Sequence, residues 1–440
     1  LNVLDMFYGE RCKNMPAVSP EDDINSSNLN WLYLDMNSYF ASVEQQDDVR
    51  LRNRPMIVVP VTSDYTSAIA ASYEAKALGI KTGTSVKEAR ALCPAIQIRE
   101  ARPDRYVQVH NRILEEVDRT LPIEKVCSID EVACRLTMGQ RHEAAARALG
   151  YRIQQNIMAN IGECLRSSIG IAPSRMLAKT AADIVKPLGL TVLRQDDLPG
   201  KLLDLKLNDL PGVGASMNLR LNKAGVFTVA ELYALPAPRL RQIWGGIGGD
   251  NFWYSLHGID PAEADTIRGS ISHSHVLASD LRPIEAARGV ARRLVAKCGS
   301  RLRRMGYKCG GLHLSIRADR GDGRAQAEAH FDVTADSFRM IEVMDGLWRH
   351  CAAKLNSPRV KKVSITCTRV IPADLPPDLF GWTPEGAEDA RHMRVLKALD
   401  GLNQRYGKDA VTIGPRTKVH GFVGAKVAFN RIPENAEFWE

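Results

Sequence analysis

Residues 31–46 read Trp-Leu-Tyr-Leu-Asp-Met-Asn-Ser-Tyr-Phe-Ala-Ser-Val-Glu-Gln-Gln. The apolar run Trp31–Leu34 predicts a buried strand that delivers Asp35 at its tip, and Ser38–Gln46 predicts a helix with Tyr39 and Val43 on one face. A second short strand is expected over Val126–Glu131, ending Ser-Ile-Asp-Glu, so that it delivers Asp130 and Glu131. Asp35 and Asp130 lie about 95 residues apart, but neighbouring strands would bring the tips together. Three carboxylates at one edge of a sheet would bind two Mg²⁺ ions, because hard oxygen ligands suit that ion. Two such ions clamp the attacking and leaving oxygens of a phosphoryl transfer. Any one of these acids, taken alone, is better explained as a solvent-exposed strand end. Tyr73, Lys76 and Lys179 are the phenolic and cationic positions that would accompany phosphate chemistry, although each alone reads as surface or core.

Outward from this pair of segments, Pro55–Val59 predicts a strand, Ile69–Leu78 and Val86–Leu92 short helical or mixed elements, and Tyr106–Arg119 an amphipathic helix. Helical periodicity resumes over 143–163, a strand is expected over Ser167–Ile171, a helix over Arg175–Ile184, and a connector with short strands over 190–208. Leu210-Pro211-Gly212-Val213-Gly214, followed by Leu221 and Ala224-Gly225-Val226, reads as a helix–hairpin–helix or as a plain turn between helices. In the first reading Gly212 and Gly214 let backbone N–H groups approach a phosphate without reading sequence. A helix starting at a Thr228 cap follows, and Pro236, Pro238 and Gly245–Gly249 then break the pattern. Over 268–371 the rhythm is strand, long helix, strand, strand, helix, strand, which predicts a small sheet with two helices on one face. Residues 1–29 read as an extension, and the tail from 372 to 440 as weakly ordered.

With these pieces in order, the chain resembles the Y-family translesion DNA polymerases of bacteria, in the polymerase IV and polymerase V catalytic-subunit branch. Leu34–Glu44 resembles the first catalytic motif, Ser72–Ile80 the fingers motif, Cys127–Glu131 the second catalytic motif, and Gly170–Ala172 with Leu177–Asp183 and Lys186-Pro187 the block that closes the palm. The Glu-Ala-Lys-Ala-Leu-Gly wording is closer to polymerase V. The resemblance implies an α+β multidomain right hand: palm over 30–45 and 101–189, small fingers over 46–100, a helical thumb over 190–260, and a β-α-β-β-α-β little finger over 266–371. It implies template-directed, low-fidelity DNA synthesis on primer-template DNA from dNTPs, past damaged bases. Asp35, Asp130 and Glu131 would hold two Mg²⁺ with the Met36 carbonyl. Tyr73, Lys76 and Lys179 would hold the triphosphate, with backbone N–H groups near Ser38 and Tyr39. Phe40 falls at the steric gate that excludes a ribose 2′-OH.

The sequence departs from the family at Ala70, Lys76, Ser38, Val132–Leu136 and Pro173–Arg175, none of which removes a metal ligand. The Asp-Leu-Phe ending of Leu375–Phe380 resembles a sliding-clamp binding peptide, and an ordinary loop explains it as well. Leu402–Lys408 resembles the tail of error-prone polymerases.

Composition agrees with a polyanion partner. The chain has 440 residues and net charge +8. Residues 266–371 hold 20 Lys and Arg against 9 Asp and Glu, so the basic charge is concentrated there and the remainder is slightly acidic. Arg288 and Arg292 on the first little-finger helix and Arg317 near a strand end are candidate DNA contacts, with nothing in the sequence to rank them. His273 and His275 share a strand face and are expected to face solvent or DNA. Nine scattered cysteines without a C-x-x-C pair argue against a disulfide framework, and no membrane span or secretory leader is legible, so a bacterial cytoplasmic, nucleoid-associated enzyme is expected. Two rivals remain open: a catalytically weak polymerase-like scaffold that binds DNA and clamp, and a nucleotide cyclase on a similar palm.

Overall fold

Trp31–Met36 forms β1, and all six of its side chains are buried. The computed structural model that shows this describes residues 29–64, 66–262, 268–321, 323–373, 385–407, 410–414 and 432. The residues up to 262 and those from 268 to 414 belong to two compact units.

In the first unit β1 leads into α1 (Tyr39–Asp47). A small satellite follows: β2 (Met56–Val59), β3 (Ala70–Ala71), α2 (Tyr73–Ala77), α3 (Val86–Leu92) and β4 (Gln97–Glu100), with strand order β3-β2-β4. It has its own core of Ile57, Val59, Ala71, Ile80 and Val86. The chain then returns through α4 (Pro103–Thr120), β5 (Ile123–Val126), β6 (Glu131–Arg135), α5 (Glu143–Asn160), β7 (Ser167–Ala172), α6 (Arg175–Ile184) and β8 (Leu190–Val192). The five-stranded sheet has the order β5-β6-β1-β7-β8, with β1 at its centre. Alternation along β1 decides what each face meets. Leu32, Leu34 and Met36 share a core with Tyr106, Ile113 and Ile153 of α4 and α5. Trp31 and Tyr33 share the opposite core with Leu177, Ala178 and Ala181 of α6.

The strand expected over Val126–Glu131 is a hairpin bend instead. β5 stops at Val126, β6 starts at Glu131, and the Cys127 N–H donates to the Glu131 carbonyl at 2.9 Å. Pairing of β6 with β1 is what pulls the chain back at this point, so the acids sit on the bend and at the start of a strand.

Helices α7 (Ala215–Lys223), α8 (Val229–Ala234), α9 (Ala237–Trp244) and α10 (Ile247–Leu256) complete the unit. Thr228 caps α8 in a reciprocal capping box with Glu231, as its sequence predicts. The breaks expected at 236–249 prove to be helix boundaries. Pro236 and Pro238 occupy the start of α9, where a missing N–H costs nothing, and Gly245 ends it with φ +82°.

The second unit contains β9 (Ile271–Val276), α11 (Ile284–Arg304), β10 (Tyr307–Ala318), β11 (Arg324–Thr334), α12 (Ser337–Leu355) and β12 (Val360–Pro372) in the expected order. The strands are antiparallel in the order β11-β10-β12-β9, and one face is covered by the two helices through Leu294, Leu302, Met344 and Trp348. His273 and His275 do share a face, but it is the covered one: they pair with Ile365 and Val363, whose side chains are fully buried. The reading of these two as facing solvent or DNA is therefore corrected.

The tail is also more ordered than its sequence suggests. Glu385–Tyr406 is a helix, α13, with Leu396 fully buried. It is fastened by a two-pronged Arg303–Asp400 ion pair and by a 2.7 Å contact between His392 Nδ1 and Asp336 Oδ2. Leu375–Phe380 and most of the N-terminal extension lie outside the described residues; Leu29, assigned to that extension, is part of the core that β1 shares with α4 and α5. The eight described cysteines are free.

Candidate active site

Antiparallel pairing places Asp35 directly opposite Glu131, so both carboxylates leave the same face of the sheet. The Met36 N–H donates to the Asp130 carbonyl at 2.8 Å, which ties the hairpin bend to the end of β1. The Ser128 hydroxyl sits 2.6 Å from Asp130 Oδ1 and 3.1 Å from Glu131 Oε2. The structure thus brings the three predicted acids to one end of the sheet.

Their electrostatics follow from burial. Asp35 is 8% exposed. Burial pushes its carboxyl up to about 6, the Lys186 ammonium opposes this, and Asp183 and Asp130 add to the rise. Burial raises Asp130 too, and Glu131 adds to it.

Helix α6 supplies the countercharge. Gly170 in β7 lets it approach: a Cβ there would lie 1.9 Å from the Ala178 carbonyl oxygen. Lys179 and Asp183, four residues apart, share one side of α6, and Lys186 follows in the segment just past its end at Ile184. Lys186 Nζ lies 2.9 Å from Asp35 Oδ1 and 2.7 Å from Asp183 Oδ1. Burial works to lower the Lys186 pKa, and these two carboxylates outweigh it and raise it. Lys179 Nζ instead bonds Glu131 Oε1 and lies 5.7 Å from the Tyr33 ring centre.

A second cluster adjoins Asp35 from α1 and α2. Lys76 Nζ stands 4.5 Å over the Tyr73 ring. Burial depresses the Lys76 pKa, and the nearby Lys186 charge adds to that effect. The Tyr73 hydroxyl, raised by burial, lies beside Ser38. Neither of these two buried hydroxyls has a well-formed hydrogen bond to the protein. Ser38 sits in the left-handed region (φ 50°) at the N-terminus of α1, and its side chain does not cap the helix. This corner therefore offers helix amides, two hydroxyls and two ammonium groups to an anion. Lys186 belongs to it; the sequence reading gives it no role beyond its place in the Lys186-Pro187 part of the palm-closing motif. Lys179, expected here, is on Glu131 instead.

Tyr39 turns inward and donates to the Tyr106 carbonyl at 2.7 Å, so only its backbone can serve a ligand. Phe40 is half-buried and stacks on Tyr106, centroids 4.3 Å apart at 14°. Tyr106 is in turn held by a 2.8 Å hydrogen bond to Glu44.

The donor set fits a hard divalent cation: carboxylate oxygens whose mutual repulsion a cation would relieve. As the side chains stand among the described residues, no three of His, Cys, Asp and Glu close around an ion, because lysines occupy Asp35 and Glu131.

Away from this corner, Gly212 has φ +90°, and a Cβ at Gly214 would meet nothing within 4 Å, so the loop is open to a ligand backbone. On the second unit, Arg288 Nε donates to Asp345 at 3.0 Å and Arg292 lies 3.7 Å from the same carboxylate. Both are thus engaged between the two helices, on the side away from the open sheet. Arg317 is on that open face, directly opposite both Arg324 and Lys362, and all three are exposed. Like charges set opposite one another cost stability, so this row across three strands points to a polyanion. Sequence reasoning missed Arg324 and Lys362 because their alignment depends on strand register.

A family model for the impB/mucB/samB family matches residues 34–183, its C-terminal domain residues 268–376, and a thumb-domain model described for DNA polymerase-iota residues 208–260. A DNA polymerase IV of Moorella thermoacetica is 33% identical over 399 residues, covering 88% of this chain and 96% of the relative. A DNA polymerase IV of Bacillus velezensis is 28% identical over 410 residues, covering 91% and 96%. These relatives are polymerase IV proteins, whereas the fingers wording leaned toward polymerase V. Among solved structures, a Y-family DNA polymerase chimera of Dbh and Dpo4 aligns with TM-score 0.67 at 21% identity, over 78% of this chain and 99% of that one. An insertion ternary complex of Dbh DNA polymerase aligns with TM-score 0.52 at 20% identity, over 78% and 99%. At that identity the likeness speaks for the fold.

Proposed function

The chain belongs to the impB/mucB/samB family of Y-family DNA polymerases, and from that premise we propose that Asp35, Asp130 and Glu131, with the Met36 carbonyl, hold two Mg²⁺ for nucleotidyl transfer. The primer 3′-OH attacks the α-phosphate of a dNTP, the new P–O bond forms as the bond to pyrophosphate breaks, and the hydroxyl proton leaves to solvent. Mg²⁺, when bound there, would lower the pKa of the attacking hydroxyl and neutralise charge on the leaving pyrophosphate. The chain's own groups do the rest. Lys186 and Lys76 pair with the triphosphate, Tyr73 and Ser38 donate to it, and the α1 amides of Tyr39 and Phe40 receive its oxygens. The Phe40 ring, fixed by Tyr106, occupies the space a 2′-OH needs.

We assign the palm to 30–45 and 101–189, fingers to 46–100, thumb to 190–260 and little finger to 266–371. The fingers are short strands with helices of five and seven residues. So small an enclosure favours synthesis past damaged bases. Gly212 and Gly214 grip backbone phosphate, and the Lys362–Arg317–Arg324 row contacts DNA. Leu375–Phe380 is proposed as a clamp peptide on its wording alone. No helix among the described residues is long and apolar enough to cross a membrane.

The observation that carries this reading is the pairing of Asp35 with Glu131 beside two buried hydroxyls that lack protein partners. Mn²⁺ counted by electron paramagnetic resonance, with primer-template and a non-hydrolysable dNTP, tests it. Two ions are expected per wild-type chain and fewer in Asp130→Ala; one ion or none in the wild type refutes the two-metal reading.

A further inference from the structure

We propose that Lys179 holds a phosphodiester near the 3′ end of the primer strand, jointly with the 211–214 loop, and takes no part in binding the incoming triphosphate. The proposal rests on the polymerase reading and assigns this lysine a substrate within it.

Lys179 on α6 and Lys186 just past its end are sorted by their neighbours. Lys186 shares its surroundings with Asp35, Lys76 and Tyr73, the nucleotide corner. Lys179 bonds Glu131 and lies against Tyr33. Its other side opens on a groove of ≈ 320 Å³ whose facing wall is the 208–214 segment. Lys179 lines this groove, and its side chain is 30% exposed while its ammonium bonds Glu131. Across from it, the N–H groups of Gly212 and Gly214 have no protein acceptor among the described residues. Gly212 adopts φ +90°, and neither glycine has a Cβ in the way. The two acids in the groove wall are engaged elsewhere: Asp183 with Lys186, and Asp209 with the Lys206 N–H at 2.8 Å.

A lysine and two free amides lining one open groove suit a singly charged phosphodiester. The charge must also lie near Glu131, because Lys179 touches that acid. In a polymerase the phosphodiester nearest the reacting hydroxyl is the primer's own. A triphosphate would have to leave the Lys186 corner to reach this groove. Lys179 would then link the strand being extended to one of the acids that act on its 3′-OH.

Single-turnover incorporation tests the assignment. Primers carry one neutral methylphosphonate at the first, second, third or fourth linkage from the 3′ end. One linkage should cost the wild type about tenfold in incorporation efficiency, the size of one lost charged contact. At that linkage Lys179→Ala should lose nothing further, and Lys179→Arg should restore the sensitivity. The apparent Kd for dNTP should stay within about twofold in Lys179→Ala and rise about tenfold in Lys186→Ala. A general loss of structure would lower all linkages together, and a circular-dichroism melt identifies that case, leaving Lys179→Arg as the informative variant. Equal linkage profiles in wild type and Lys179→Ala, or a dNTP Kd that rises in Lys179→Ala as in Lys186→Ala, would overturn the proposal. Absence of templated incorporation by the wild type would instead refute the polymerase reading.

Discussion

Asp35→Asn should stabilise the metal-free protein, and the gain should grow with pH. The fold raises the Asp35 pKa from 3.8 to about 6, chiefly by burial. A group held above its unfolded pKa favours folding when protonated, so stability falls as pH climbs between these values and is flat above them. Roughly two units at about 1.4 kcal/mol each give a penalty of about 3 kcal/mol at pH 8, falling to about 1.5 kcal/mol at pH 5. The asparagine keeps the shape and removes the charge. The pKa of about 6 already contains the opposing Lys186 contact, so no separate loss is subtracted for it, and Lys186 retains Asp183 in the variant. The net expectation is a gain of about 3 kcal/mol at pH 8 that falls to about 1.5 kcal/mol at pH 5. Urea denaturation of both proteins in EDTA at pH 5, 6.5 and 8 measures this. A difference that does not change with pH, or that grows toward acid, would refute the reasoning. Added Mg²⁺ should reverse the order by stabilising only the wild type.

Phe40→Ala should admit ribonucleotides: rNTP incorporation relative to dNTP should rise at least about tenfold, or about 1.4 kcal/mol of discrimination, in competing single-turnover reactions. Arg317→Ala and Lys362→Ala should each lower the log–log salt slope of primer-template binding by about 0.9, and Lys362→Ala should do so without lowering the melting temperature, since it removes like-charge repulsion. Gly170→Ala should cost at least about 3 kcal/mol or prevent folding, because its Cβ would overlap the backbone of the helix bearing Lys179 and Asp183; thermal melts check this.

Much of the site was legible because it is local. Asp35 terminates an apolar run, and Asp130 and Glu131 are adjacent, so the strand pattern alone brings them into view. The α11 and α12 periodicity likewise predicts the second unit. What escaped depends on distant partners. The bend at 127–130 is imposed by pairing with β1, which local apolarity does not report. Lys179 falls on Glu131 and Lys186 on Asp35 because of where α6 and the segment past its end meet β1 and β6, a placement their own neighbours in sequence do not report. Alternation put His273 and His275 on one face, but which face is covered is decided by Val363 and Ile365. Helix α13 has a weak apolar stripe, and its order comes from Arg303–Asp400 and from Leu396 finding a buried seat. Register, which sequence does not display, likewise builds the Lys362–Arg317–Arg324 row.

Primer extension on an undamaged template with Mg²⁺, comparing wild type with Asp130→Ala, tests the central claim most directly. The account predicts templated dNTP addition by the wild type, none with rNTPs, and loss of addition by at least about a thousandfold in Asp130→Ala while primer-template binding is retained. Addition that survives in Asp130→Ala, or tight DNA binding with no addition by the wild type, would contradict it.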